Sequence, residues 1–593
     1  MHRTRGNSLF PFENGGINTM KNFAKKFLTL TIAAAMLSGM TACGGVTGGP
    51  AESNDGPKES VNAEMVQLNV YNYDGGYKTE WLYKAKARYE ELHKNDVYGD
   101  KKGVQIQVTP GKLSIDPSSV KKDKYDVYFT ESIDYYTFVN QNAFLDITDV
   151  YTKENPYEKG KKVENKLNEY QRNYFNKDGK YYALPGYEGY FGITYNIELF
   201  NDNEYYIKKD ADFADKNNLG KYFTNVDSEK SAGPDGKENT SDDGLPVTYD
   251  EFFMLCRRML ATNVTPLVWS GSYAQKHLTG LTHSLVAEAE GAEQMMLTFT
   301  NKGTAKTLGK VENGVFVKDS EPTEITTKNG YELARRKGNY DALRFINELI
   351  NGTVNDVHYY HDDSFKNGFS HTNAQETYLK DGIVNNNNKV GMLVDGAWWE
   401  SEASDVFTGM ATSNGEKYSK ANRKFGWMPL PKAEKDDKGV TLLEDMFSSV
   451  FVKSTIEEEK KAIAIDFLQF LHTDEELQQF TVVTDTPKAF LYSMSKENKA
   501  KMSEYGRSLV GLKETAKVVY PLDKNSVFVN NQSLFKDLPT NGYYQSNVLS
   551  GSKRTLVSNP VYAFGDYPAT YNPENYFEGM YDHLKNVKSS LWK

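Results

Sequence analysis

The chain has 593 residues, more than one hydrophobic core normally holds, so two or more lobes are expected. Eighty acidic against 70 basic residues give a net charge of -10, which argues against nucleic acid, whose binding rests on clustered Lys and Arg. Only two cysteines are present, Cys43 and Cys256, so the fold is expected to rest on packing and not on a disulfide framework.

In chain order, the first feature is Met20 to Gly45, MKNFAKKFLTLTIAAAMLSGMTACGG. Lys21, Lys25 and Lys26 make a basic start, and the apolar run Phe27 to Leu37 is too short to cross a bilayer core of about 30 Å. This reads as an export signal, and the small residues leading into Cys43 resemble the lipobox of bacterial lipoproteins. That resemblance implies lipidation of Cys43 and a chain anchored to the outer face of the cell membrane without spanning it. The basic start lies inside the chain, so Met20 is the expected true start. The expected divisions are then 1–19 as an upstream extension, 20–42 as signal peptide and 43–62 as a tether rich in Gly, Pro, Ser and acids. No later apolar stretch approaches the roughly 18 residues of a membrane helix.

VQLNVYNY from Val66 reads as a strand by alternation. KTEWLYKAKARYEELHK follows as a helix with Leu82, Ala85, Tyr89 and Leu92 on one face, and VQIQVT and YDVYFTE read as further strands. Strands alternating with helices predict an α/β lobe with ligands at the carboxyl ends of its strands, where Tyr73, Asp74, Thr130 and Glu131 stand. The aromatic segment Tyr181 to Asn196 is extended and suited to carry the chain between lobes. Thr248 to Glu251 and Thr455 to Glu458 are capping-box patterns opening helices. In the first of these helices Phe252, Leu255, Cys256 and Met259 share one face, which makes Cys256 a buried thiol. Gln294 to Thr327 reads as short strands with Gly turns, an insertion on the second lobe.

Two motifs invite a cofactor. GPDGKENTSDDGLP brings Asp235, Asn239, Asp242 and Asp243 into one turn-rich loop, a candidate for a structural calcium, although the same residues are ordinary turn formers and Lys237 breaks the EF-hand pattern. His358, His361, Asp362, Asp363 and His371 cluster in a polar run that reads as loop, with no zinc expected. Gly303 and Gly309-Lys310 are one residue too far apart for a phosphate-binding loop, so any ATPase must be another chain. No other cofactor is expected.

Four stretches in order, Tyr181 to Phe200, Thr265 to Gly271, Val390 to Ala403 with Phe425 to Lys432, and Ser448 to Phe480, resemble the extracellular solute-binding proteins of sugar ABC transporters, the maltose-binding-protein-like lipoproteins of solute-binding family 1. The resemblance covers most of the chain after Cys43. It implies a type II periplasmic-binding-protein-like fold of class α/β, with two lobes joined by hinge crossover strands. The lobes map to 63–192 plus 450–540 and to 193–449 plus 541–593. It further implies no catalysis, a carbohydrate held in the cleft, ABC permease subunits with a separate ATPase as partners, and a monomeric receptor. The rival reading is an exported glycoside hydrolase, which would need two carboxylates about 5 to 9.5 Å apart across the scissile bond.

A sugar site needs a ring to cover its C–H face and polar groups to take its hydroxyls. With 40 Tyr and 31 Phe beside 6 Trp, most rings must be core, and a few are candidates. Trp398 and Trp399 follow Asp395 at the end of an apolar strand, so at least one should reach the cleft and both are candidates; the blander alternative puts one of them in the helix core behind it. Trp269, where a strand turns, is a further candidate. Tyr73, Glu131 and Tyr187 are candidates from strand-end geometry, and Asp395 as a hydroxyl acceptor.

Overall fold

The structure is a computed structural model that describes residues 60–593 except 381–388, 437–438, 537, 539 and 541. The expected export signal, Cys43 and most of the expected tether lie outside the described residues. Within those residues no helix is long and apolar enough to cross a membrane.

Two mixed sheets organise the chain. The first has the order Val104–Gly111, Val66–Tyr73, Val127–Ser132, Ser448–Val452, Leu184–Pro185, with its first three strands parallel and Ser448–Val452 antiparallel to Val127–Ser132. The parallel strands arise as the alternation requires: Val66, Leu68 and Val70 are buried, and the helix Glu80–His93 returns the chain over them with Trp81, Leu82, Ala85 and Tyr89 inward. Leu92 departs from that reading and is exposed, because it falls in the last turn, beyond the sheet the helix covers.

The second sheet runs Val264–Val268, Lys389–Gly396, Phe191–Asn196, Phe425–Met428. Its strands are buried almost throughout, which explains their continuous apolar runs. Against it packs Tyr249–Ala261, whose Thr248 side chain accepts from the Glu251 N–H while Glu251 reaches back, the reciprocal cap expected from sequence. Cys256 is free and buried in that helix. The second expected capping box does not form. Thr455 donates instead to Lys121 O at 2.7 Å, and the helix begins later, at Glu458–Leu471.

The chain passes between the sheets at residues 186–190, after Leu184–Pro185, and returns at 444–447, before Ser448–Val452. A third passage follows the helix Asp474–Thr484. The next long helix, Glu504–Thr515, buries Tyr505 and Leu509 with Trp399, Phe425 and Trp427 of the second sheet's core. The expected boundary of the first lobe at 540 therefore overlooks this helix, which the second sheet claims because it presents an apolar face to that sheet's open side. The expected insertion is strand-rich from Gly303 to Ile325, but Ala292–Thr300 is helical.

Candidate functional site

A cleft of about 460 Å³ opens where the carboxyl ends of the first sheet face the second. Tyr73 and Glu131 reach it from the ends of Val66–Tyr73 and Val127–Ser132, and Lys112 from just past Val104–Gly111. Three parallel strands end at one edge, so their terminal side chains converge there. From the second sheet come Phe191 and Asp395. Their strands are antiparallel with Gly396 opposite Phe191, so the start of one lies beside the end of the other. The first turns of Ala274–Glu290 add Lys276 and His277, and the crossing at 444–447 adds Asp445 and Phe447.

Trp398 is half-buried in the cleft, as is Tyr73. Phe191 meets it edge-on at 5.4 Å and Tyr77 lies 6.3 Å away at a tilt. Glycines make room for it: a Cβ on Gly76, from the first lobe, or on Gly396, beneath the indole, would overlap the ring. The two lobes therefore meet at the Trp398 edge, with Tyr77 also donating to Glu188 O in the first crossing at 2.6 Å.

Asp395 is almost fully buried, accepts from Gly396 N–H at 2.7 Å and from Gln375 Nε2 at 3.2 Å, and lies 3.9 Å from His277 Nε2. The same Gln375 amide donates to Glu402 at 2.8 Å, and Glu402 in turn lies 3.6 Å from His371. Burial pushes the Asp395 carboxyl up to about 6 and the His277 imidazole down to about 4. Burial also raises Glu402, with the Asp395 charge adding to it, and lifts Asp445 to about 8 against the opposing pull of Lys276. Glu131 is raised by burial, while Lys276 and the hydroxyl that Tyr73 donates to it work the other way. The cleft thus offers one indole face, a rim of hydroxyl and ammonium donors, and carboxyl groups on both lobes.

Tyr73, Glu131, Asp395 and Trp398 are brought together here. The other candidate residues are elsewhere. Trp269 is fully buried against Tyr360 at 4.8 Å and Phe365 at 5.5 Å, because the side chain at its strand end points into the core of the second lobe. Trp399 is fully buried among Tyr378, Phe425 and Tyr505, one residue further round the turn from Trp398. Tyr187 lies behind the cleft, stacked on Tyr77 at 4.7 Å with its hydroxyl donating to Asn72 at 2.5 Å. Sequence reasoning passed over Lys112, Phe191, Lys276, His277, Glu402, Asp445 and Lys536. His371, which the sequence groups with His358 and His361 in a polar run, opens the helix His371–Leu379. Lys536 carried no local signal at all.

In the acidic loop the carboxylates serve the loop itself. Asp242 accepts from Asp235 N–H at 2.8 Å and from Thr240 Oγ1 at 2.7 Å, and Asp243 accepts from Asn239 N–H at 2.8 Å. Among the described residues no group of three or more His, Cys, Asp or Glu is arranged to hold a metal ion.

No protein-family model matches the chain, and no curated protein matches it. Solved structures do. One described as a chitin oligosaccharide binding protein superposes with a TM-score of 0.50 at 14% identity, over 89% of this chain and 100% of that one. Apo RafE from Streptococcus pneumoniae gives 0.48 at 15% identity, over 90% of this chain and 100% of that one. At such identity the first likeness establishes the fold and nothing more: this chain has the α/β, two-lobed architecture of periplasmic-binding-protein-like receptors.

Proposed function

We propose that this chain is an exported, lipid-anchored receptor that binds an oligosaccharide between its lobes and hands it to an ABC permease driven by a separate ATPase. The observation that carries the reading is Trp398, an indole held between two sheets with Tyr73 and Glu131 on one side and Asp395 on the other. A pyranose offers an apolar C–H face for such a ring, and each hydroxyl hydrogen bond nets about 0.5 to 1.5 kcal/mol after exchange with water. The fold likeness to a protein described as binding chitin oligosaccharide agrees with this class of ligand. Because the site draws on both lobes, a ligand touching both favours the arrangement in which they meet, and the crossings at 186–190 and 444–447 are where that motion would be absorbed.

The anchor and location rest on the export signal and Cys43, read from the sequence. A monomer tethered in this way searches near its permease without leaving the membrane. No covalent chemistry is part of the reading.

The test is calorimetry of the purified chain against tetrasaccharides of α-glucan, β-glucan, xylan and chitin, with thermal melts alongside. Binding without product, and a melting temperature that rises with ligand, is the expected result. Catalytic turnover of any of these chains, or binding of none, overturns the proposal. Mass spectrometry of the mature N-terminus should find a diacylated Cys43, and an unmodified cysteine there would remove the anchor.

A further inference from the structure

Four carboxyl groups line the cleft: Glu131 on the first lobe, Asp395 and Glu402 on the second, and Asp445 in the returning crossing. Among the described residues none of them is in an ion pair with a lysine or arginine; Asp395 and Glu402 approach only imidazoles, at 3.9 and 3.6 Å. Burial raises both Glu131 and Glu402, and like charge adds to each: Glu402 acts on Glu131 across the gap between the lobes, and Asp395 acts on Glu402. The lobes therefore meet here with charges of one sign.

The donors that reach these carboxyl groups are largely committed. The Gln375 amide serves both Asp395 and Glu402, the Tyr73 hydroxyl serves Glu131, and Lys536 Nζ donates to Ile133 O at 2.5 Å. Lys112 and Lys276 line the cleft but are exposed, so water solvates their charge, and neither makes an ion pair; Lys276 acts on Glu131, Asp395 and Asp445 only at longer range. An independent feature points the same way. His277, more than nine-tenths buried, has no hydrogen-bond partner at Nδ1, and its Nε2 faces only an acceptor, Asp395. Burial holds this imidazole neutral at pH 7, so one of its nitrogens is a lone-pair acceptor with no donor facing it.

The cleft thus asks for protons more than it offers them. A hydroxyl brings one proton and two lone pairs that need donors in turn, whereas an ammonium brings three protons, no lone pair and a positive charge. A metal ion does not answer, because no group of three or more such side chains is arranged to hold one among the described residues. Trp398 supplies a face that suits both a sugar ring and a cation.

We propose that the ligand is an amino-sugar chain, with a protonated amine set between Glu131 of the first lobe and Asp395 and Glu402 of the second. The inference rests on the carbohydrate reading above and names the class of sugar. The ammonium offsets the like charges that oppose the meeting of the lobes, so the ligand itself favours their closure.

The test is calorimetry of the full chain at pH 6 with three β-1,4-linked tetramers that differ only at C2, those of glucosamine, N-acetylglucosamine and glucose, and with spermidine as a cation lacking the ring. The glucosamine tetramer should bind at least about tenfold more tightly than either other sugar and weaken at least about fivefold between about 50 and about 500 mM salt. Its binding should also release protons, because a cation beside carboxyl groups raised by burial drives them to ionise. Glu402→Gln should shrink the preference for the amine over glucose by at least about fivefold, and Glu131→Gln gives the same reading from the other lobe if the first variant does not fold. Equal or weaker binding of the amine, an unchanged preference in the variant that folds, or spermidine binding as tightly as the glucosamine tetramer overturns the inference. If the neutral tetramers bind and the amine holds no advantage, the carbohydrate reading stands without this inference; if no sugar binds, both fall.

Discussion

Trp398 and Trp399 are consecutive in the chain and live in opposite surroundings. The first is half-buried in the cleft, with room made by Gly76 and Gly396; the second is sealed among Tyr378, Phe425 and Tyr505 in the core behind. The strand Lys389–Gly396 ends and the short helix Trp399–Glu402 begins at this point, and the turn sends neighbouring side chains to opposite sides. Two residues of one type, one position apart, therefore have separable duties: one faces the space where a ligand would sit, and the other holds the wall that presents it.

Three substitutions would break or sharpen that contrast. The largest effect is expected for Trp399→Ala, a loss of about 3 to 5 kcal/mol of stability from an unfilled core cavity, read by denaturant unfolding. A loss under about 1 kcal/mol would mean that the wall does not depend on this ring.

His277 is the intermediate case, a cleft-lining residue whose imidazole is buried. Its folded value of about 4 lies below the ordinary 6.5, so between those values the unfolded chain takes up a proton that the folded chain refuses. Stability from this group is full above about pH 6.5 and is lost as pH falls toward 4, by on the order of 3 kcal/mol. Asp395, raised by burial to about 6, works in the opposite sense over the overlapping range, and Lys276, Glu402 and His371 also face the ring. The difference between the native chain and His277→Gln isolates the histidine. If the two lose stability in parallel between pH 6.5 and 4, the imidazole is not carrying the effect.

The smallest change in free energy is expected for Trp398→Ala. Sugar affinity should fall about 10- to 100-fold, or about 1.4 to 2.8 kcal/mol, while stability moves by about 1 kcal/mol. Unchanged affinity in this variant would sink the stacking role and leave the cleft without its ring.

Much of the frame was legible. Alternation along Val66–Tyr73 predicted both the strand and its buried face, and the capping residues of Tyr249–Ala261 predicted where that helix starts. Tyr73 and Glu131, expected at the carboxyl ends of their strands, do line the cleft, because parallel strands must finish at one edge. The same rule misplaced Trp269 and Tyr187. At a strand end the side chain can face the ligand or the core, and which it does depends on the twist of the sheet and on what packs above it. Thr455 shows the local version: a good cap pattern lost its residue to a carbonyl more than 300 positions away.

By itself the sequence carried the α/β class and the start of Tyr249–Ala261, since each depends on neighbours within a few residues, and the expected export signal and anchor at Cys43 are read there alone. Tertiary structure alone decided which tryptophan faces the cleft, which carboxyl groups share it, and that Glu504–Thr515 belongs with the second sheet. Those outcomes turn on contacts between segments hundreds of residues apart, whose energies come from burial and close fit, and no local pattern encodes which distant partner will be met.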